Sequence, residues 1–235
     1  MGPSRAERPA VGRGSAPTAN QRLRADLGIS PAFLALLADE DCAGRTVLDV
    51  GTGRGRLALA LAPRCGRVVG IDRDEAALTE ARRVAATTGL GNVEFVCVDA
   101  EAGEYAAFEP DAVVAHLCMS SAIAERAGRA LAPGAPFVFV AFHADQWRET
   151  GRPSRFAWDE DEARAALEGA GFSIEHLSVE RDVQAFGSVE EALAAAVGLE
   201  EKWRADGRWF RYIKFLEEGG RTLTRAHVHV KARKA

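Results

Sequence analysis

The chain contains no apolar run approaching the length of a membrane span, so no membrane partner is expected. Its four cysteines, Cys42, Cys65, Cys97 and Cys118, form no C-x-x-C pair. They read as reduced thiols of a cytoplasmic protein rather than a disulfide framework or a zinc site. There is no excess of positive charge either: 30 Lys and Arg against 34 Asp and Glu leave a net charge of −4, which argues against nucleic acid as a partner. Residues 1–20 are rich in Gly, Pro, Ser, Ala and Arg but lack the apolar segment of a signal peptide, and read as a disordered tail. His227 and His229 share a strand face, but no third ligand is in sight, so no metal is expected.

What is present is enough apolar material for one sizeable core. Hydrophobic residues make up 47% of 235 positions, and residues 21–235 read as a single domain. Apolar runs alternate with helical patterns, which predicts βαβ units and a parallel sheet. The most informative stretch follows the first run (Thr46, Val47, Leu48, Val50), where glycines fall at every second position, Gly51, Gly53 and Gly55. A helical pattern (Leu57, Leu59, Ala60, Leu61) begins at once. Strand, glycine turn and helix N-terminus together offer close backbone approach and free N–H groups to a nucleotide-like ligand.

The spacing is not that of a dinucleotide fingerprint, because Arg56 stands where the third glycine is needed. Asp49 precedes the first glycine; a carboxylate there repels a pyrophosphate and suits a cationic ligand. The pattern Asp49-x-Gly51-x-Gly53-x-Gly55 resembles the first motif of the class I S-adenosylmethionine-dependent methyltransferases. The run at residues 68–71 ends in Asp72, about 20 residues past the glycines, where a ribose-binding carboxylate is expected. The run at 93–98 ends in Asp99, matching the position at which the family accepts from the adenine amino group. Residues 129–134, before the run at 137–142, and 167–172 resemble the family's turns into later strands. The resemblance implies a Rossmann-like three-layer α/β sandwich. Its seven-stranded, mostly parallel sheet has the last strand antiparallel between strands five and six. It also implies S-adenosyl-L-methionine as cofactor, held by Asp49, Gly51, Thr52, Gly53, Gly55, Asp72, Arg73, Asp99, Ala100 and His116.

The family joins strands six and seven by a short hairpin. Here strands at 172–181 and 222–231 are separated by residues 182–221, with helical patterns at 190–201 and 203–218. So long a connection suggests a cap over the substrate. It carries Arg208, Trp209, Arg211 and Tyr212, and a second aromatic, basic stretch contains Trp147 and Arg155. These residues are candidates for binding a small, acidic acceptor through stacking and guanidinium contacts. The alternative is an amphipathic helix whose aromatics form a core.

His116, ending the run at 111–117, and His143, after the fifth run, are candidate general bases; each also admits a structural or substrate-orienting role. Cys118 raises covalent attack on a pyrimidine, against a plain half-buried thiol. The reading is methyl transfer to a small molecule by in-line displacement, in a monomer or homodimer. The alternatives are an RNA or protein methyltransferase and a non-catalytic cofactor-binding protein.

Overall fold

A computed structural model describes residues 28–154 and 156–235; the expected disordered tail (1–20), any helix over 21–27 and Arg155 lie outside the described residues. The first helix, α1 (Pro31–Ala38), starts where Ser30 accepts the Phe33 N–H and proline occupies the first turn. The sheet is built from β1 (Thr46–Val50), β2 (Arg67–Asp72), β3 (Val93–Cys97), β4 (Ala112–His116) and β5 (Pro136–His143), all mutually parallel. Two long strands, β7 (Phe172–Ala185) and β8 (Thr222–Lys234), extend it. The strand order is β3-β2-β1-β4-β5-β8-β7, with β8 antiparallel to both neighbours. The expected topology is therefore present. The addition is a two-residue strand, β6 (Ala157–Trp158), parallel to the end of β5, too short to leave a periodic signal.

Helices cover both faces, as the βαβ handedness rule demands. On one face α1, α2 (Arg56–Leu61) and α3 (Glu75–Thr88) bury Phe33, Leu57 and Leu78 against Val68, Val114 and Val138. On the other, α4 (Ser121–Ala130) and α5 (Glu160–Gly169) bury Ile123 and Leu167 against Val113, Phe137 and Val230. Local chemistry sets the helix ends. The Asp74 side chain accepts from the N–H groups of Ala76 and Ala77 at the start of α3, and Gly89 closes it. A capping box between Asp159 and Glu162 opens α5.

The insert begins later than expected, because β7 runs on to Ala185. Residues 186–221 hold α6 (Val189–Ala196), α7 (Glu200–Asp206) and α8 (Arg208–Glu217). The helical pattern at 203–218 is broken at Gly207, whose φ of +83° ends α7. Trp203, Tyr212, Leu216 and Trp147 pack with Leu223 of β8 into a third, private core. Among the described residues no helix is long and apolar enough to cross a membrane.

Candidate active site

The carboxyl ends of β1, β2 and β4 converge on the glycine turn. Gly51, Gly53 and Gly55 have φ of +69°, +54° and +75°, conformations open to glycine and costly for side-chain-bearing residues. A Cβ on Gly51 would collide with the Cys118 side chain, whereas one on Gly53 would point into open space. The turn is pinned from below by Asp49, which is 1% exposed. One of its oxygens accepts from the Thr52 hydroxyl at 2.6 Å and from the Ala58 N–H at 3.1 Å. Burial, reinforced by nearby Asp72, pushes the Asp49 carboxyl up to about 7. Asp49 thus organises the turn and the start of α2, and it floors the cavity above them.

Asp72 at the tip of β2 accepts from the N–H of Gly53 at 2.8 Å and of Asp74 at 3.0 Å. It thereby links the glycine turn to the start of α3. Asp99 accepts from the Glu101 N–H at 2.8 Å. Three cavities meet here. One, of about 160 Å³, is lined by Asp72, Arg73, Asp99, Ala100 and Gly51, with Met119, Ile123 and Phe156 as apolar walls. A second, of about 480 Å³, lies over the glycine turn between Asp49, Thr52, Gly53, Arg54 and His116. The third, of about 300 Å³, opens between His116, Leu117 and Val140 on one side and Glu180, Arg225 and His227 on the other. Gly51 is common to the first two, His116 and Ile29 to the last two, and Leu117 to the first and third. The three are compartments of one cleft at the strand ends, where open α/β sheets bind ligands.

His116 stands at the junction. Its ring packs 5.6 Å from that of Phe33. Burial, with Arg56 and two further histidines nearby, holds it down to about 4, so it is neutral near pH 7. Cys118 is driven the other way: burial and the acids around it push its thiol up to about 11. That thiol is a poor nucleophile, and its sulfur occupies the volume denied to Gly51.

The remaining expected site residues fall elsewhere. His143 lies on the opposite sheet face from His116. The position paired with His116 is Val140, and side chains alternate along β5. His143 is 4% exposed, accepts from the Asp145 N–H at 3.0 Å and lies 3.0 Å from Glu160, with Arg181 at 3.3 Å. It clamps β5 to α5 and β7 and lines none of the three cavities. Trp147, Trp209 and Tyr212 are buried in the insert core. Arg208, 6% exposed, bonds Asp206 and the carbonyls of Arg152 and Pro153 beneath the Trp147 ring. Arg211 is exposed on α8. None of these five lines the cleft, so the expected contact with acceptor gives way to a packing role for the four buried ones. Sequence reasoning missed Glu180, Asp182 and Arg225, and weighed His227 only as half of a metal pair with His229; their polar spacing of two along β7 and β8 was the available signal.

The profile of the family described as "Methyltransferase domain" matches residues 47–134, the stretch holding the glycine turn and both carboxylates. A tRNA (uracil-5-)-methyltransferase homolog A from Mus musculus is 53% identical over 58 residues, 25% of this chain and 10% of that protein. The match thus spans about a tenth of that relative's length. Among solved structures, the YcgJ protein of Bacillus subtilis superposes with a TM-score of 0.67 at 17% identity, covering 90% of this chain and 98% of the other. An S-adenosylmethionine-dependent methyltransferase of Mesorhizobium loti gives 0.55 at 20% identity, covering 87% and 96%. At these identities the superpositions establish a shared fold.

Proposed function

We propose that the chain transfers the methyl group of S-adenosylmethionine to a small-molecule acceptor by in-line displacement, a reading supported by the match of residues 47–134 to the methyltransferase-domain family and by the shared fold. Bound in the cleft, that cofactor supplies a methyl group on a sulfonium, which departs as a neutral thioether when an acceptor lone pair displaces it. The described residues fit it. Asp72 presents carboxylate oxygens where ribose hydroxyls need acceptors, and Asp99 does so beside the apolar walls of Ile123 and Phe156. The open space above Gly53 leaves room for the amino-acid end over the turn.

The observation that carries the reading is the continuity of this cleft with the cavity beyond His116. At about 300 Å³ that cavity matches a small molecule. His116, neutral across the physiological range, accepts a hydrogen bond from an acceptor O–H or N–H and aims its lone pair at the methyl carbon. Positioning of this kind supplies much of the rate for an already activated methyl group, and as the new bond forms the acceptor's proton passes along its hydrogen bond to His116 and from there to solvent water. Ile29, Leu117 and Val140 keep the walls apolar. The aromatic insert shores up the sheet edge that carries the acceptor cavity.

RNA is the second reading, favoured by the 58-residue likeness to a tRNA (uracil-5-)-methyltransferase. The raised Cys118 thiol and the net charge of −4 weigh against it. Incubation with methyl-labelled S-adenosylmethionine and either a metabolite extract or total RNA tests the assignment. Label is expected in the small-molecule fraction; label confined to RNA or protein refutes the small-molecule acceptor.

A further inference from the structure

The face of β7 and β8 bordering the acceptor cavity is polar in a regular way. In the antiparallel register Glu180 pairs with His227, Asp182 with Arg225 and Ser178 with His229. Alternation puts Glu180 and Asp182 on this face and sends Arg181 to the other, where it bonds Asp145. On β8 the same parity brings Arg225, His227 and His229 to the cavity side, while Ala226, Val228 and Val230 are buried. Glu180 lines the cavity as well, with an oxygen 3.2 Å from the buried His229 Nε2. Burial holds His227 and His229 below the usual histidine range, so the imidazoles between His116 and the ribbon are uncharged.

Besides Glu180, two charges stand at the mouth, of opposite sign and at directly opposed positions. Arg225 and Asp182 both line the cavity and occupy a matched cross-strand position. Opposite charges so placed ordinarily pair. Here neither side chain makes a hydrogen bond or ion pair with any described residue. Among the described residues nothing uses the hydrogen-bonding capacity of either, and their backbone positions sit a strand spacing apart.

We propose that the acceptor carries a zwitterionic, amino-acid-type head group. Its carboxylate is held by Arg225 and its ammonium by Asp182, while its other end presents the methylated O–H or N–H to His116. This rests on the methyltransferase reading and names the substrate class of that site. Guanidinium matches carboxylate geometry through paired N–H donors, and an aspartate is acceptor-only, suited to an ammonium. The neutral histidines between the two ends pass an uncharged linker without repelling either sign.

The test uses the full chain saturated with S-adenosylhomocysteine and three probes of similar size: phenylglycine, phenylacetate and benzylamine. Calorimetry should show phenylglycine binding roughly fivefold or more tighter than either singly charged probe, the scale of two partly exposed charge contacts. Arg225→Gln should reduce phenylglycine to the level of benzylamine, Asp182→Asn to that of phenylacetate, and Arg225→Lys should retain part of the preference. Thermal melts check that these surface variants stay folded. Equal affinities, a preference for the acid or the amine alone, indifference to both substitutions, or no binding of any probe while S-adenosylhomocysteine binds overturns the proposal. Failure of S-adenosylhomocysteine itself to bind overturns the cofactor reading, and this inference with it.

Discussion

Replacing Asp72 separates the cofactor grip from the fold more sharply than any other single change. Its carboxylate does two things at once. It accepts the N–H groups of Gly53 and Asp74, at 2.8 and 3.0 Å, and it lines the cavity proposed for the adenosine. Asp72→Ala removes the acceptor for the ribose hydroxyls, a loss of about 1.5–3 kcal/mol for hydrogen bonds to a charged group. It also frees the Gly53 N–H, so the turn is less ordered before the ligand arrives and the penalty falls toward the upper end of that range. Asp72→Asn keeps one carbonyl oxygen and should lose about half as much. The strand itself survives, because Ile71 and Val69 carry its burial. Titration of S-adenosylhomocysteine into both variants reads the affinities, and far-ultraviolet circular dichroism reads the fold. Native affinity in a natively folded Asp72→Ala protein would refute the assignment of the ribose site and the coupling to the glycine turn.

Asp49 and His116 give opposite pH dependences of stability. Asp49 is raised in the fold to about 7 from an ordinary value near 3.8, so the folded state binds more protons than the unfolded chain between these limits, and stability falls as pH rises from about 4 to 7. His116 is depressed to about 4 from 6.5, so here the unfolded chain binds more protons, and stability rises over about pH 4 to 6.5. Urea denaturation across this window should therefore show the slope turning more positive than wild type in Asp49→Asn and more negative in His116→Gln; identical slopes in all three proteins would contradict both environments. Arg208→Ala should cost about 1–3 kcal/mol by removing a buried guanidinium that bonds Asp206 and the Arg152 and Pro153 carbonyls, and leave S-adenosylhomocysteine affinity unchanged, by the same titration and melts. Cys118→Ala should retain methyl transfer, since the thiol fills space beside Gly51; loss of transfer together with a covalent adduct in the wild type, seen by mass spectrometry, would restore the nucleophile reading.

The part of the site legible in the sequence is the part whose determinants are local. Three glycines at alternate positions, an acid before them and acids ending the next two strands define a backbone shape and a set of acceptors within about 50 residues, and the structure brings Asp72, Asp99 and His116 to one cleft. What was not legible depends on parity and on distant packing. His116 and His143 both end strands, yet one faces the cleft and the other the α5 side. The aromatic and basic insert has the composition of a ligand pocket, but the same composition builds a private core once Trp203, Tyr212 and Trp147 find each other. The ends of β7 and β8 escaped because their outer residues, 182–185 and 232–234, answer to cross-strand hydrogen bonding rather than to an apolar pattern. Of these, Asp182 lines the proposed acceptor cavity, beside Glu180, Arg225 and His227.

The central claim is that the glycine turn, the two carboxylates and the His116 junction form a cleft for S-adenosylmethionine and not for a dinucleotide. Parallel calorimetric titrations of the wild-type chain and of Gly53→Val with S-adenosylhomocysteine and with NAD test it directly. The account predicts binding of S-adenosylhomocysteine to the wild type, its loss in Gly53→Val because a branched side chain fills the open space above the turn, and no binding of NAD to either. Tight binding of NAD with none of S-adenosylhomocysteine, or unchanged affinity in Gly53→Val, would contradict it.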